Sequence, residues 1–388
     1  MRVAVVAEFY PRAHDPVLGV WAHRQAVAAR DAGADVRVLV LHRPVPPVRS
    51  VREGDWRALR VVRQPRRATL DGIAVEYVPF LAPPRPRSYG AWGAWAAPTL
   101  GLALRALGRR FDYELVHAHY AVPAADAVLR ARVRRPLVVS EHGGDLYYTA
   151  PRSPAGDRAV RRALRRARVV LANSAGIAKR AQALGAGAVR VVHLGADLGG
   201  PPAPPQGPPT VVSVGHLVPR KRHADVVRAL WLLRDRHPRL RYVVIGDGPQ
   251  RGPLITLARA LGVEERVEVR GALAPAEAAA AARAATVFAM PSTDEALGVA
   301  YLEAMAGGVP AIGSRGEPGP EEIAAAGGGM TLVAPADVEA LAEALDSVVG
   351  DPAYRRELGA AARATVAGAF TWRHCGEATV AAYEEALR

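Results

Sequence analysis

At 388 residues the chain is too long for one ordinary core and fits two domains of about 100–200 residues each. Half the residues are apolar and 23% are charged, which excludes a disordered chain, and the single cysteine, Cys375, excludes an internal disulfide and suits a reducing cytoplasm. The formal charge of +14 is unevenly placed: residues 1–200 carry 32 Arg and Lys against 15 Asp and Glu, the remainder 19 against 22. That asymmetry speaks against a uniformly basic nucleic-acid binder and for two different partners. Met1-Arg2 leads into a Val/Ala run that ends at Glu8, too short for a secretory h-region, so a cytoplasmic location is expected.

The predicted elements begin with a buried strand at Val3–Ala7, a loop from Glu8 to Gly19, a helix from about Val20 to Ala32, and a second strand at Val36–Leu41. Strand, loop, helix, strand is the opening of a doubly wound sheet. Further strands read at Ala74–Val78, Leu115–Ala118, Leu137–Ser140, Val169–Ala172 and Val189–His193. Pro201–Pro209 can be neither helix nor central strand, because proline lacks a donor and restricts its predecessor, so it reads as a stiff linker. The alternation then restarts with strands at Thr210–Val214, Tyr242–Ile245, Val267–Val269, Thr286–Met290, Pro310–Gly313 and Met330–Val333, and with helices from His223, Gln250, Pro275 and Val299. The expected architecture is α/β: two Rossmann-like domains, 1–200 and 201–370, facing a central cleft, with 371–388 a helix crossing back to the first domain. In such sheets ligands sit beyond the carboxyl ends of the strands.

The strongest motif is Glu295-Ala-Leu-Gly-Val-Ala-Tyr-Leu-Glu303. Its first carboxylate lies in a loop before a helix and its second inside that helix. Free N–H groups of Leu297, Gly298 and Val299 at the helix start suit a diphosphate, and Gly298 lets the backbone approach a ligand. Val214-Gly-His-Leu-Val-Pro-Arg-Lys-Arg222 follows a strand end and sets Arg220, Lys221 and Arg222 at the lip of the site. Only Lys179 and Lys221 among the 51 basic residues are lysine. A Lys at Lys221 therefore suggests that a compact charge on a flexible stem is wanted there.

These segments, with Gly246-Asp-Gly-Pro249, Gly271, Met290-Pro-Ser292 and Glu303-Ala-Met-Ala-Gly-Gly-Val-Pro310, resemble in order and spacing the GT-B glycosyltransferases of family 4 across nearly all of residues 210–350. The N-terminal half is similar more loosely. Gly19 stands in the place of the family's glycine-rich loop, Ser140-Glu-His-Gly-Gly-Asp145 looks like its His-Gly-Ser-Asp element, and Leu194-Gly-Ala-Asp197 like its Asn-Gly-Val-Asp segment. The resemblance implies a retaining transferase that takes a sugar from a nucleotide diphosphate donor, with UDP favoured and no cofactor. Lys221 would pair with the β-phosphate, Glu303 hold the ribose and Glu295 contact the transferred sugar. His142 would bind that sugar or assist at the reaction centre. His216 stands where the family has Arg, so Arg220 or Arg222 is expected to compensate. No Asp-x-Asp occurs, so no carboxylate pair for a divalent metal is expected.

Two segments bear on the acceptor. Asp157–Arg168 places Val160, Ala163, Leu164 and Ala167 on one stripe and six arginines on the other, a face that could lie against anionic headgroups or simply be solvated. Ser88–Leu104 is free of charge and carries Tyr89, Trp92 and Trp95; Pro98 and its length of 17 residues, against about 20 for a span, make it an interfacial, acceptor-groove or core helix. A sugar or lipid-linked acceptor at an anionic membrane surface is the expectation for these segments, with no nucleic acid. A phosphorylase, a sugar-nucleotide epimerase and a non-catalytic binding protein are the competing readings of the same scaffold.

Overall fold

The computed structural model describes residues 1–46, 56–200 and 207–388, so residues 201–206 of the expected proline linker lie outside the described residues. Two compact units form: Met1–His193 together with Trp372–Arg388, and Leu194–Thr371. The division falls ahead of the boundary expected at residue 200. Hydrogen bonds explain it: Ala196 N–H donates to the Phe370 carbonyl (2.8 Å), and the Arg363 side chain donates through Nη1 to the Leu198 carbonyl (2.7 Å). These bonds tie 194–198 to the second unit.

In the first unit the strands are β1 (Arg2–Ala7), β2 (Asp35–His42), β3 (Arg67–Leu70), β4 (Ile73–Pro79), β5 (Leu115–His119), β6 (Leu137–Glu141), β7 (Val169–Ala172) and β8 (Val189–Val191). They form one sheet in the order β3-β4-β2-β1-β5-β6-β7-β8. All neighbours pair in parallel except β3 and β4, an antiparallel hairpin not expected from the sequence. Asp71 and Gly72 make its turn at φ 45° and 78°, the positive pair that a tight two-residue hairpin demands. Val3 to Ala7 are fully buried, as a central parallel strand covered on both faces must be.

The second unit has β9 (Thr210–Val214), β10 (Arg241–Ile245), β11 (Val267–Gly271), β12 (Val287–Ala289), β13 (Ala311–Ser314) and β14 (Met330–Val333), all parallel in the order β11-β10-β9-β12-β13-β14. In each sheet the order reverses beside the strand that opens the unit. The loops after β1 and β5, and those after β9 and β12, therefore leave the sheet at the switch points where doubly wound folds hold ligands.

The helix Trp372–Leu387 packs on the first unit against the helix Val20–Asp31, with Gln25 Nε2 donating to Thr379 Oγ1 (3.1 Å). The helix Trp92–Phe111 turns Trp92 inward, 4% exposed, and Trp95 and Leu102 outward, 52% and 64% exposed. Core packing and an exposed apolar face thus coexist on one element. No helix among the described residues is long and apolar enough to cross a membrane.

Candidate active site

The loop after β9 is held in place before any site chemistry enters. Gly215 N–H donates to the Ile245 carbonyl and Leu217 N–H to the Asp247 carbonyl (2.9 and 3.0 Å), so the Gly-Asp-Gly turn clamps it. Pro219–Lys221 then makes one 3-10 turn that aims Lys221 inward. From the loop after β12, Thr293 N–H donates to the Arg220 carbonyl (2.8 Å), stitching the two loops together.

Across that stitch Lys221 Nζ donates to Glu295 Oε2 at 2.6 Å, and Arg220 Nη1 lies 3.9 Å from the same oxygen. Ser292 Oγ adds a third donor at 2.8 Å. Lys221 and Glu295 are 8% and 7% exposed, so this is a buried ion pair. Burial by itself would raise the Glu295 carboxyl, but Lys221, then Arg220 and Ser292, more than offset it and hold it below its usual value. Arg222 is committed to Asp225 (2.6 Å), whereas Arg220 faces Glu295. His216 itself is exposed.

Gly298 caps the helix Val299–Ala306 at φ 83°. The close approach it permits is to this chain's own side chain: a Cβ there would fall 2.4 Å from the Tyr301 ring. The N–H groups of Leu297, Gly298 and Val299 are bonded to no other group among the described residues, so they stay available as anion donors. Glu303 lies half-buried on that helix, its carbonyl accepting from Arg283 Nε (3.4 Å). Three supports escaped the sequence reading. Glu317 accepts the Glu295 N–H (2.9 Å), the Tyr301 hydroxyl donates to the Met290 carbonyl, and Gly319 N–H donates to the Glu295 carbonyl (3.1 Å). Among the described residues no group of three His, Cys, Asp or Glu is placed to hold a metal ion.

His142 and Gly19 belong to the first unit. Gly19 caps the helix Val20–Asp31 at φ 67°, where a Cβ would strike the Phe9 carbonyl carbon at 2.1 Å; its place is dictated by this backbone contact. His142 follows β6 and meets His119, at the end of β5, through Nε2 and Nδ1 (3.0 Å). Burial pushes His142 down to about 3, and pushes His119 well below the usual imidazole value with help from His117 and His142. Beside them Glu141 and Asp145 accept the Ala121 and Val122 N–H groups (3.1 and 2.9 Å). Burial raises both carboxyls, Asp145 to about 6. Glu8, at the end of β1, accepts from Arg85 (3.1 Å) and the Tyr89 hydroxyl (2.6 Å). The alternating histidines of Val116-His-Ala-His-Tyr120 were the available sign of this cluster: two polar residues on one face of a strand otherwise built for burial.

Comparison with known proteins places this geometry. Residues 18–199 match the sequence family Glycosyltransferase Family 4, and residues 200–365 match Glycosyl transferases group 1. The chain is 35% identical over 175 residues to a GDP-mannose-dependent alpha-(1-6)-phosphatidylinositol monomannoside mannosyltransferase of Mycolicibacterium smegmatis, covering 43% of this chain and 46% of that protein. It is also 35% identical over 188 residues to a glycogen synthase of Mycobacterium tuberculosis, covering 48% and 44%. The chain thus spans about half the length of the curated relatives it matches. Over nearly whole chains its fold is that of sucrose-phosphate synthase from Thermosynechococcus elongatus (TM-score 0.79, 21% identity, 99% and 98% covered). The fold of Anabaena HepE in complex with UDP and glucose also matches (TM-score 0.73, 20% identity, 99% of both chains). With both halves matched in order and the fold shared from end to end, the chain belongs to the family 4 glycosyltransferases of GT-B fold.

Proposed function

We propose that the protein is a retaining glycosyltransferase that moves a sugar from a nucleotide diphosphate sugar to the hydroxyl of a sugar or lipid-linked acceptor without a divalent metal. The observation that carries this reading is the Lys221–Glu295 pair, buried at the switch point of the second sheet beside the unbonded amides of Leu297, Gly298 and Val299. A diphosphate entering there takes the Lys221 ammonium and those N–H groups in place of water, and Arg220 adds a second cation. Glu295, released from Lys221, is free to accept from a sugar hydroxyl, and Glu303 from the ribose. As the anomeric carbon–oxygen bond breaks, the leaving phosphate oxygen takes the acceptor's proton while the new bond forms on the same face. The charge that develops on the diphosphate meets donors already in position.

For the donor, UDP is favoured. HepE is a structural neighbour solved with UDP, whereas the mannosyltransferase relatives are named for GDP-mannose. A thermal-shift screen of UDP-, GDP- and ADP-sugars with EDTA present tests the reading. At least one should raise the melting temperature by several degrees, and Glu303→Ala should abolish the rise; no shift with any donor would refute it.

The acceptor is proposed to be presented at an anionic membrane surface. On the helix Pro154–Arg166, Arg161 and Arg162 are committed to Asp157 and Asp126 (2.9 Å each), which leaves Arg158, Arg165 and Arg166 exposed. The apolar outer face of Trp92–Phe111, with Arg105 and Arg109 exposed on the same helix, offers a second contact. Each basic residue near such a surface adds about 1 kcal/mol. Sedimentation with anionic against neutral vesicles checks this, and equal pelleting with both would end it.

A further inference from the structure

The roots of the two loops that carry Lys221 and Glu295 are joined by a row of buried polar side chains that the chemistry above does not use. Ser213 of β9, Tyr242 of β10 and His223, at the start of the helix His223–Leu232, are 0%, 0% and 3% exposed. Ser213 Oγ bonds the carbonyl of Ala289 in β12 and the Tyr242 hydroxyl (2.8 Å), and that hydroxyl bonds His223 Nδ1 (3.0 Å). The row therefore crosses three neighbouring strands, from β12 through β9 to β10.

The direction of every proton in it follows from the Ala289 end. A carbonyl oxygen only accepts, so the single Ser213 proton goes to Ala289. Ser213 Oγ must then accept from Tyr242. That commits the Tyr242 proton, and the Tyr242 oxygen must accept from His223. The histidine is thus held with its proton on Nδ1. Its other nitrogen, Nε2, is buried and bonded to nothing among the described residues. Without a proton it leaves a lone pair unbonded and not an N–H, the lesser of the two orphans. Burial, and then the Lys221 charge, push the ring down to about 4, so no second proton joins it.

The row ends where the chain turns most sharply. Lys221 is followed by Arg222 at φ 54°, a left-handed conformation that residues with a Cβ adopt reluctantly and that persists where the surroundings impose it. Ahead of this corner Leu217 is clamped, its N–H donating to Asp247 and its carbonyl accepting from Gln250 (3.0 and 2.9 Å). At the corner Asp225 grips the Arg222 side chain (2.6 Å). Behind it the His223 ring turns inward and is pinned at Tyr242, two residues from Lys221. The far end of the row, Ala289, lies six residues ahead of Glu295. One row of hydrogen bonds thus braces both partners of the buried pair.

We propose that His223 is a positioning residue for Lys221: the one-way relay through Tyr242 and Ser213 pins its ring in the Nδ1–H form, and this peg keeps the Arg222 corner turned so that the Lys221 ammonium faces the diphosphate. The role toward a diphosphate rests on the proposed function; the relay does not.

Nitrogen-15 spectra of the histidine side chains at pH 7.5, with His223→Asn used to identify the His223 signals, test the relay. The wild type should show a protonated Nδ1 and a bare Nε2 on His223, and Tyr242→Phe, which removes the acceptor, should turn that pattern into a mixture. Isothermal titration tests the role, with whichever of UDP, GDP and ADP the wild type binds most tightly. His223→Leu and Tyr242→Phe should weaken binding at least about tenfold, whereas His223→Asn, whose amide can donate where Nδ1 stood, should stay within about threefold of wild type. A proton on His223 Nε2 in the wild type would overturn the proposal, as would an unchanged His223 pattern in Tyr242→Phe. So would binding untouched by His223→Leu, or equal weakening by His223→Leu and His223→Asn, the mark of a merely structural residue. If His223→Leu does not fold, Tyr242→Phe, which loses a single hydroxyl, decides. If the wild type binds none of the three nucleotides, the nucleotide reading fails by itself and the spectra still decide the relay.

Discussion

The cluster around Lys221 in the second unit and the cluster around His142 in the first both bury ionisable groups, and they resolve the cost in opposite ways. In the second, Lys221 and Glu295 keep their charges by meeting each other at 2.6 Å, with Ser292 and Arg220 completing the shell. In the first cluster, His142, His119, Glu141 and Asp145 form no ion pair among the described residues, and burial moves each toward its neutral form. On the proposed function, the Lys221 cluster keeps charge in reserve for a diphosphate, and the His142 cluster offers neutral donors and acceptors to hydroxyls. The lesson is that burial alone does not say what a polar residue is for; its partner does.

The contrast breaks most visibly at Lys221. Lys221→Ala leaves Glu295 buried without its main partner and should cost about 3–5 kcal/mol in a denaturant melt, together with all nucleotide-dependent stabilisation. The double variant Lys221→Met/Glu295→Gln should recover most of the stability and none of the nucleotide response.

Next comes Asp145, whose folded value of about 6 lies above the 3.8 of an ordinary aspartate. The folded state holds a proton the unfolded chain has released, so this contribution is complete below pH 4 and is lost as pH rises through 6. Asp145→Asn keeps the neutral form throughout. Its stability relative to wild type should therefore rise by about 3 kcal/mol between pH 4 and pH 7, read from urea melts.

His142 runs the other way. Its folded value of about 3 lies below the ordinary 6.5, so unfolding takes up a proton once the pH drops below 6.5, and stability is lost from there toward pH 3. At pH 5 that loss is about 2 kcal/mol in wild type and absent from His142→Asn, so the difference between the two should narrow by that amount from pH 7.5 to 5. The smallest effect belongs to Lys179, exposed on the helix Ala175–Ala183: Lys179→Ala should change stability by less than about 0.5 kcal/mol and leave nucleotide binding intact.

Much of the fold was legible because period and punctuation agree. The helix Val299–Ala306 begins where expected and the strand Met330–Val333 has its expected bounds, and the buried strands announce themselves as short Val-rich runs. The β3–β4 hairpin was overlooked although Asp71-Gly72 is a strong turn signal, because Arg67–Leu70 is an edge strand with little apolar content. At the site, Lys221 and Glu295 stand out through residue type and motif, but their contact joins positions separated by 74 in the chain. Glu317 and Gly319, which hold the Glu295 backbone, belong to another segment, and no local pattern marks them. Gly19 and Gly298 both sit at positive φ, and the space each leaves is filled by Phe9 and Tyr301 of the same chain.

The last helix carries a consequence for biosynthesis. Tyr383 caps His117, Thr379 meets Gln25, and Gly376 lies against the Ala28 carbonyl so closely that a Cβ would come within 2.2 Å of it. The unit that leaves the ribosome first is therefore missing its final wall until residues 372–388 arrive, whereas the unit between them has already been translated in full. During synthesis the first sheet must wait with His117 of β5 uncovered, and a ribosome stalled near residue 371 should display a protease-sensitive first unit beside a resistant second one.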